Sequence, residues 1–156
     1  EKSAGGIMTT EPVILAPDAN VAEALARIRN EDLPTSLAAQ VYVARPPLET
    51  PTGRFLGVVH FQRLLREQPG TLVSSLVDSD LESVDPQAPL DEVVRHFARY
   101  NLVGLPVIDS NDHLLGVVTV DDVVDNMLPE DWRESHTAST DTELISNRKA
   151  GEGDGS

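Results

Sequence analysis

The chain contains two related heptapeptides, GVVHFQR at residues 57–63 and GVVTVDD at residues 116–122. Both copies begin Gly-Val-Val, and they differ in the polar residues that follow. The second copy carries Thr119 and Asp122 at the positions where the first carries His60 and Arg63. Because a duplicated fold with unequal side chains has unequal chemistry, we expect one ligand cleft beside another that is altered or silent.

The repeat extends well beyond the heptapeptide. Two further pairs of segments align, namely residues 17–25 with 86–94 and residues 41–43 with 105–107. The offset between the copies falls from 69 to 64 and then to 59 along the chain. The first copy therefore holds two five-residue insertions, one near residues 31–40 and one in the Pro-rich turn at residues 45–53. Two copies of this kind indicate a fused pair and not a solenoid.

Hydrophobic spacing predicts the order strand, helix, strand, strand, helix in each copy. In the first copy, residues 13–15 form a short apolar run, and Asn20 precedes a stretch with helical spacing. Apolar runs on both sides of the turn at residues 45–53 predict a hairpin. In the second copy, Ser83-Val84 is the expected short strand and residues 109–112 the hairpin turn. This order predicts an α+β (mixed α/β) fold, with a small sheet and helices on one face in each copy.

Composition excludes several classes of function. The 156 residues include no cysteine, which removes disulfides, thiol catalysis and thiolate metal sites. The net charge of −14 argues against nucleic acid as a partner, because phosphate binding needs clusters of Lys and Arg. No apolar run approaches the roughly 20 residues of a membrane span, so we expect no membrane insertion of this segment. No catalytic triad or carboxylate pair is evident, so we expect no enzyme activity.

The acidic residues concentrate in the second copy. Residues 74–128 hold eleven acids and only two bases. Two interpretations stay open: the charge serves solubility, or its repulsion is relieved by divalent cations or a basic partner. The polar, Gly-rich stretch at residues 135–156 is expected to be disordered.

The motifs together resemble a CBS-domain pair, also called a Bateman module. The carrying residues are Met8-Thr9, Leu105-Pro106-Val107 and the heptapeptide at residues 116–122. The resemblance implies tandem CBS repeats packed with pseudo-symmetry, at residues 7–67 and 75–133. Within the family, the chain looks most like the cytosolic segment of MgtE-type magnesium transporters, or like their soluble actinobacterial relatives.

The resemblance implies an adenine nucleotide, AMP, ADP or ATP, bound in a cleft between the paired repeats. It assigns Thr119 to a phosphate and Asp122 to the ribose hydroxyls, and it adds Val84, Leu105 and Pro106 to the nucleotide site. The first copy departs from the motif, because Arg63 carries only donors and cannot accept a hydrogen bond from ribose. Arg63 remains suited to pairing with a phosphate.

The resemblance also implies magnesium held by carboxylates, with Asp121, Asp125 and Glu130 as candidates. Asp121 and Asp125 are four residues apart and share a helix face, and magnesium commonly takes one or two carboxylates plus water. An ordinary solvated helix face is the alternative for these acids. For Thr119 and Asp122 the alternative is a capped helix start.

The resemblance therefore implies a cytoplasmic, non-catalytic regulatory module of an MgtE-like magnesium transport or homeostasis protein. Its expected partners are a second copy in a homodimer and an MgtE N-terminal domain or a transmembrane domain. Two alternatives stay open. One is a structural dimerisation module with decayed ligand sites, and the other is an accessory domain of an enzyme whose catalytic part lies elsewhere. The start at Glu1 without a Met suggests a piece of a longer protein.

Overall fold

The computed structural model describes residues 2–128. It divides the chain into a compact unit, Glu1–Val123, and a second unit, Val124–Ser156, of which it describes only residues 124–128. The candidate ligand Glu130 and the tail expected at residues 135–156 lie outside the described residues.

The first copy follows a short helix, α1 (Ala4–Ile7). Its elements are β1 (Ile14–Leu15), α2 (Val21–Ile28), β2 (Gln40–Ala44), β3 (Phe55–His60) and α3 (Phe61–Leu65). They form a three-stranded sheet in which β1 runs parallel to β2 and β2 antiparallel to β3, which confirms the predicted hairpin. Helix α2 begins where predicted. The Asn20 side chain accepts the N–H of Glu23, and the Glu23 carboxylate accepts the N–H of Asn20.

The second copy repeats this order with one difference. Its elements are α4 (Leu90–Arg99), β4 (Gly104–Ile108), β5 (Leu114–Thr119) and α5 (Val120–Met127), and β4 pairs antiparallel with β5. The short strand predicted at Ser83-Val84 is wrong, because Val84 makes only an isolated parallel bridge to Val107. The segment leaves the sheet at once, since Asp85 starts a turn in which its carbonyl accepts the N–H of Ala88.

Each copy completes its core with the segment that precedes the other copy. The N–H of Ala4 in α1 donates to the Ala88 carbonyl at 2.8 Å, and the Ala4 side chain lies in the core of the second copy. The linker between the copies, residues 68–75, does the reverse. The N–H of Val73 donates to the Ala19 carbonyl at 2.8 Å, and its side chain lies in the first core. This exchange ties the two copies into one folded unit.

The two sheets also face each other. Side chains alternate along β2, so Val41 and Val43 pack in the first core, whereas Tyr42 points to the opposite face. There Tyr42 joins Leu114 and Val117 of β5 in a third buried cluster. Burial raises the pKa of the Tyr42 phenol above its ordinary value. Within this apolar cluster the Tyr42 hydroxyl has a polar partner, because the buried amide of Gln40 donates to it at 2.8 Å.

The turn between β4 and β5 gives a pH-dependent contribution to stability. The pKa of Asp109 is lowered because its carboxylate accepts the backbone N–H groups of His113 and Asn111. When the pKa of a carboxyl is lower in the folded state, its carboxylate stabilises the fold at pH values above the unfolded-state pKa. This contribution is lost as the pH falls through the folded-state pKa. We therefore expect Asp109→Asn to be less stable than the wild type at pH 7 and to match it in acid, where the wild-type Asp109 carboxyl is protonated. Urea unfolding at pH 7 and in acid checks this, and equal losses at both pH values would contradict it.

Candidate functional site

The second-copy heptapeptide forms a reciprocal cap at the start of α5. The N–H of Asp122 donates to the Thr119 hydroxyl oxygen at 3.2 Å, and the N–H of Thr119 donates to Asp122 Oδ2 at 2.9 Å. The structure therefore confirms the helix cap that the sequence suggested. It also fixes the distance between the two residues to which the resemblance assigns phosphate and ribose.

A third residue joins them from the other end of the sequence. The Thr9 hydroxyl donates to Asp122 Oδ2 at 3.2 Å. Two backbone hydrogen bonds between Thr9 and Val117, of 2.8 and 2.9 Å, hold it there. In the sequence Thr9 is recognisable only as part of a family motif, since no local spacing places it beside a residue 113 positions away. A ribose at Asp122 would share a carboxylate that already holds the helix start and the N-terminal segment.

The other three candidates for the nucleotide site contribute mainly backbone and core. Val84 and Pro106 lie together, because the Val84 N–H donates to the Pro106 carbonyl at 3.0 Å. Leu105 is fully buried in the second core, and Val84 is 4% exposed in the same cluster. Even Thr119 is only 2% exposed. In this structure the side chains of these residues therefore expose little surface that a ligand could contact.

An open cavity lies instead at the corresponding end of β3. We call it the first-copy cleft; its volume is about 390 Å³. Its ionisable lining residues are His60, Asp78, Asp80 and Glu82, and the neutral polar side chains of Gln40, Tyr100 and Asn101 also line it. An adjoining cavity of about 240 Å³ shares His60 and Asp78 and adds basic side chains, those of Arg63 and Arg66. The first copy thus has a basic end and an acidic wall.

Arg63 at the basic end is paired weakly. Its Nε lies 3.1 Å from Glu67 Oε2, in an exposed pair one helical turn apart. Exposed pairs of this kind contribute about 0–1 kcal/mol, so the guanidinium can exchange this partner for a phosphate at little cost. The sequence identified Arg63 and His60 as departures from the motif. It missed the acids of residues 78–82, although their spacing by two was a signal for one face of an extended segment.

The candidate metal ligands are only partly described. Asp121 and Asp125 both lie on α5, as their spacing predicted, and Glu130 falls outside the described part. Among residues 2–128, no group of three or more His, Asp or Glu side chains is arranged to hold a metal ion. Within the same range, no helix is both long and apolar enough to cross a bilayer.

Comparison with known proteins identifies the family. A sequence model of the CBS domain matches residues 4–70 and 73–129. The magnesium transporter MgtE of Thermus thermophilus is 32% identical over 136 residues, covering 87% of this chain and 29% of the relative. The MgtE of Enterococcus faecalis is 29% identical over 147 residues, covering 94% and 31%. The chain therefore spans less than a third of these relatives.

Solved structures agree with this grouping. The cytosolic domain of the Mg²⁺ channel MgtE in complex with ATP superposes with a TM-score of 0.68 at 34% identity, covering 79% of this chain and 48% of that one. The soluble part of a magnesium transporter gives a TM-score of 0.70 at 29% identity, covering 81% and 48%. The fold class predicted from the sequence is confirmed. The chain belongs to the CBS domain family as a tandem pair, and it resembles the cytosolic CBS segment of MgtE magnesium transporters.

Proposed function

We propose that this CBS pair is the non-catalytic regulatory module of an MgtE-like magnesium transport protein, and that it binds an adenine nucleotide at Thr119 and Asp122. The observation that carries the proposal is the convergence of Thr9, Thr119 and Asp122, which brings the N-terminal segment to the start of α5. A structural relative at 34% identity is described as a complex with ATP, which supports the choice of ligand class.

The geometry suggests how binding would act. Thr9 follows α1, which completes the second core, so a nucleotide at Asp122 would contact the N-terminal segment that runs from that core to the first copy. A ligand shifts a conformational equilibrium only through its different affinities for the two states. We propose that the states differ in this junction and in the arrangement of a homodimer. Magnesium would favour one of them by reducing repulsion among second-copy acids, including Asp121 and Asp125.

Exposed apolar side chains support the homodimer. Phe61 and Leu65 on α3 are 37% and 59% exposed, and Val120, the counterpart of Phe61 in the repeat, is 44% exposed. Exposed apolar side chains on α3 and α5 are the kind of surface that a homodimer would bury.

Nucleotide-induced stabilisation tests the site. Asp122→Ala should abolish the rise in melting temperature that AMP, ADP or ATP gives the wild type, because it removes the proposed ribose acceptor. A ligand at 100 times its Kd stabilises by about 2.7 kcal/mol, which a thermal melt resolves easily. The variant also loses a helix cap worth about 1 kcal/mol, so the quantity compared is the shift within each protein.

Asp121→Ala is the matched control. It removes the adjacent, exposed first-turn acid and leaves the reciprocal cap intact. The control should keep the nucleotide shift. A shift in Asp122→Ala as large as that of the wild type would show that the ribose assignment is wrong.

A structural dimerisation module is the second candidate. The burial of Thr119 and Leu105, and the existing bonds to Asp122 Oδ2, favour it. Calorimetric titration with each nucleotide, with and without magnesium, separates the two functions. Heat of binding supports the sensor, whereas silence in every titration, with the dimer retained, supports the structural role.

A further inference from the structure

A second cavity opens at the end of β3 opposite His60. We call it the turn-side cavity; its volume is about 410 Å³. Its lining includes apolar and polar residues from both copies, among them Arg54, Leu56, Ser79, Ser83, Ile108 and Asp112. It lies beside the turn of the second hairpin, whereas the first-copy cleft lies at the helix end of β3.

The segment at residues 78–83 lies between the two cavities and bends at Asp80. Its acids line the first-copy cleft, Ser79 and Ser83 line the turn-side cavity, and Leu81 lines both. The turn-side cavity includes none of the residues of the proposed nucleotide site, Thr9, Thr119 and Asp122.

Pseudo-symmetry shows what fills the equivalent place in the other half of the molecule. The repeat offsets relate Ser79 to Thr10, Ile108 to Ala44 and Phe55 to Leu114. At the Thr10 position, the Thr50 hydroxyl donates to the Thr10 carbonyl at 3.1 Å. Leu48 packs against the buried cluster that contains Ala44 and Leu114. The equivalent place is thus occupied by the chain's own turn at residues 45–53.

The second copy has no turn long enough to fill the turn-side cavity in this way. Its turn, Asp109–Asp112, is five residues shorter than the turn of the first copy. Among the residues that the structure describes, none donates a hydrogen bond to the Ser79 carbonyl, and the Arg54 guanidinium has no partner. Apolar side chains of Leu56 and Ile108 are left half-buried beside these groups.

Arg54 has an informative counterpart. The repeat relates it to His113, whose Nδ1 contacts the Thr52 carbonyl at the end of the long turn. Arg54 is therefore placed to donate to a carbonyl at the end of a similar turn. The polar groups of Ser79 and Arg54 and the apolar side chains of Leu56 and Ile108 thus suit the same kind of occupant, a turn like that at residues 45–53.

We propose that the turn-side cavity receives a proline-bracketed turn of a partner protein. An apolar side chain takes the place of Leu48, and a Ser or Thr hydroxyl two residues later donates to the Ser79 carbonyl, as Thr50 does to Thr10. The Arg54 guanidinium donates to a carbonyl at the end of that turn. This docking surface is independent of nucleotide binding.

The chain's own turn supplies the probe. We would titrate the capped nonapeptide RPPLETPTG, the sequence of residues 45–53, into the ¹⁵N-labelled protein and follow amide shifts. Saturable shifts at Ser79, Ser83 and Ile108 with a Kd of about 1 mM, typical of a weak contact worth about 4 kcal/mol, are expected. The same peptide with Ala in place of its Leu should bind at least about tenfold more weakly, because it lacks the side chain that would pack against Leu56 and Ile108.

Three protein variants complete the test. Ser79→Trp, at an exposed position on the cavity wall, should block the peptide, and Ser74→Trp, at an exposed position that does not line the cavity, should not. Lengthening the turn after Asp109 by Pro-Pro-Leu-Glu-Thr should also abolish binding by filling the cavity from within. A wild type without saturable shifts at several millimolar peptide would overturn the proposal. So would unchanged peptide binding to a folded Ser79→Trp protein, or shifts confined to the first-copy cleft.

Discussion

Gly57→Ala is expected to destabilise the folded unit by about 2–6 kcal/mol. Gly57 has a φ of +144°, a conformation that costs a residue with a Cβ about 1–3 kcal/mol. The added methyl would also collide with the carbonyl oxygen of Asp78 and the side chain of Val77. That carbonyl cannot move freely, because it accepts the N–H of Val58 at 3.2 Å. Overpacking against such fixed atoms typically costs a further 1–3 kcal/mol or so.

Gly70→Ala is the control for this substitution. A Cβ at Gly70 meets no atom within 4 Å, so the change should be close to neutral. Urea unfolding of both variants gives the comparison, and equal stabilities would contradict the expectation. Because Asp78 also lines the first-copy cleft, the amide shifts around His60 should move in Gly57→Ala and stay in place in Gly70→Ala.

Local signals in the sequence were sufficient for most of the secondary structure. The cap at Asn20, the Pro-rich turn and the apolar run of β2 each depend on residues close together in the chain. The five-residue difference between the two hairpin turns was also visible from the repeat offsets alone. The missed features are those made by distant pairs. The strand predicted at Ser83-Val84 is reduced to one bridge to Val107, and α1, which no pattern predicted, joins the core of the second copy.

The candidate site shows the same division. The Thr119–Asp122 pair was predictable, because a helix cap depends on residues three apart. The arrival of Thr9 at the same carboxylate depends on the exchange of segments between the copies, which periodicity does not encode. The burial of individual side chains could not be predicted from the sequence either. Leu105-Pro106-Val107 is a family motif, and only the packing of β4 against α4 and α5 residues shows that Leu105 belongs to the core.

Leu105→Ala is accordingly expected to cost about 2–5 kcal/mol, as truncation of a fully buried leucine generally does. The side chain lies among Val93, Val107 and Val118, and the backbone around it is fixed by pairing with β5, so the cavity left behind can close only in part. Leu105→Met, which keeps nearly the same volume, should cost less than about 1.5 kcal/mol. Urea unfolding of the two variants measures the difference.

The two roles considered for Leu105 predict opposite results. A core residue lowers stability on truncation and leaves the nucleotide-induced shift in melting temperature close to that of Leu105→Met. If Leu105 instead lines the ligand site, Leu105→Ala lowers the free energy of unfolding by about 1 kcal/mol or less and removes the nucleotide-induced shift in melting temperature. The fully buried side chain favours the first result, because a nucleotide could reach it only by parting β4 from the helices. If the nucleotide shift disappears while stability is retained, the cleft must open further on binding than the free structure shows, and Val84 and Pro106 would then belong to the site as well.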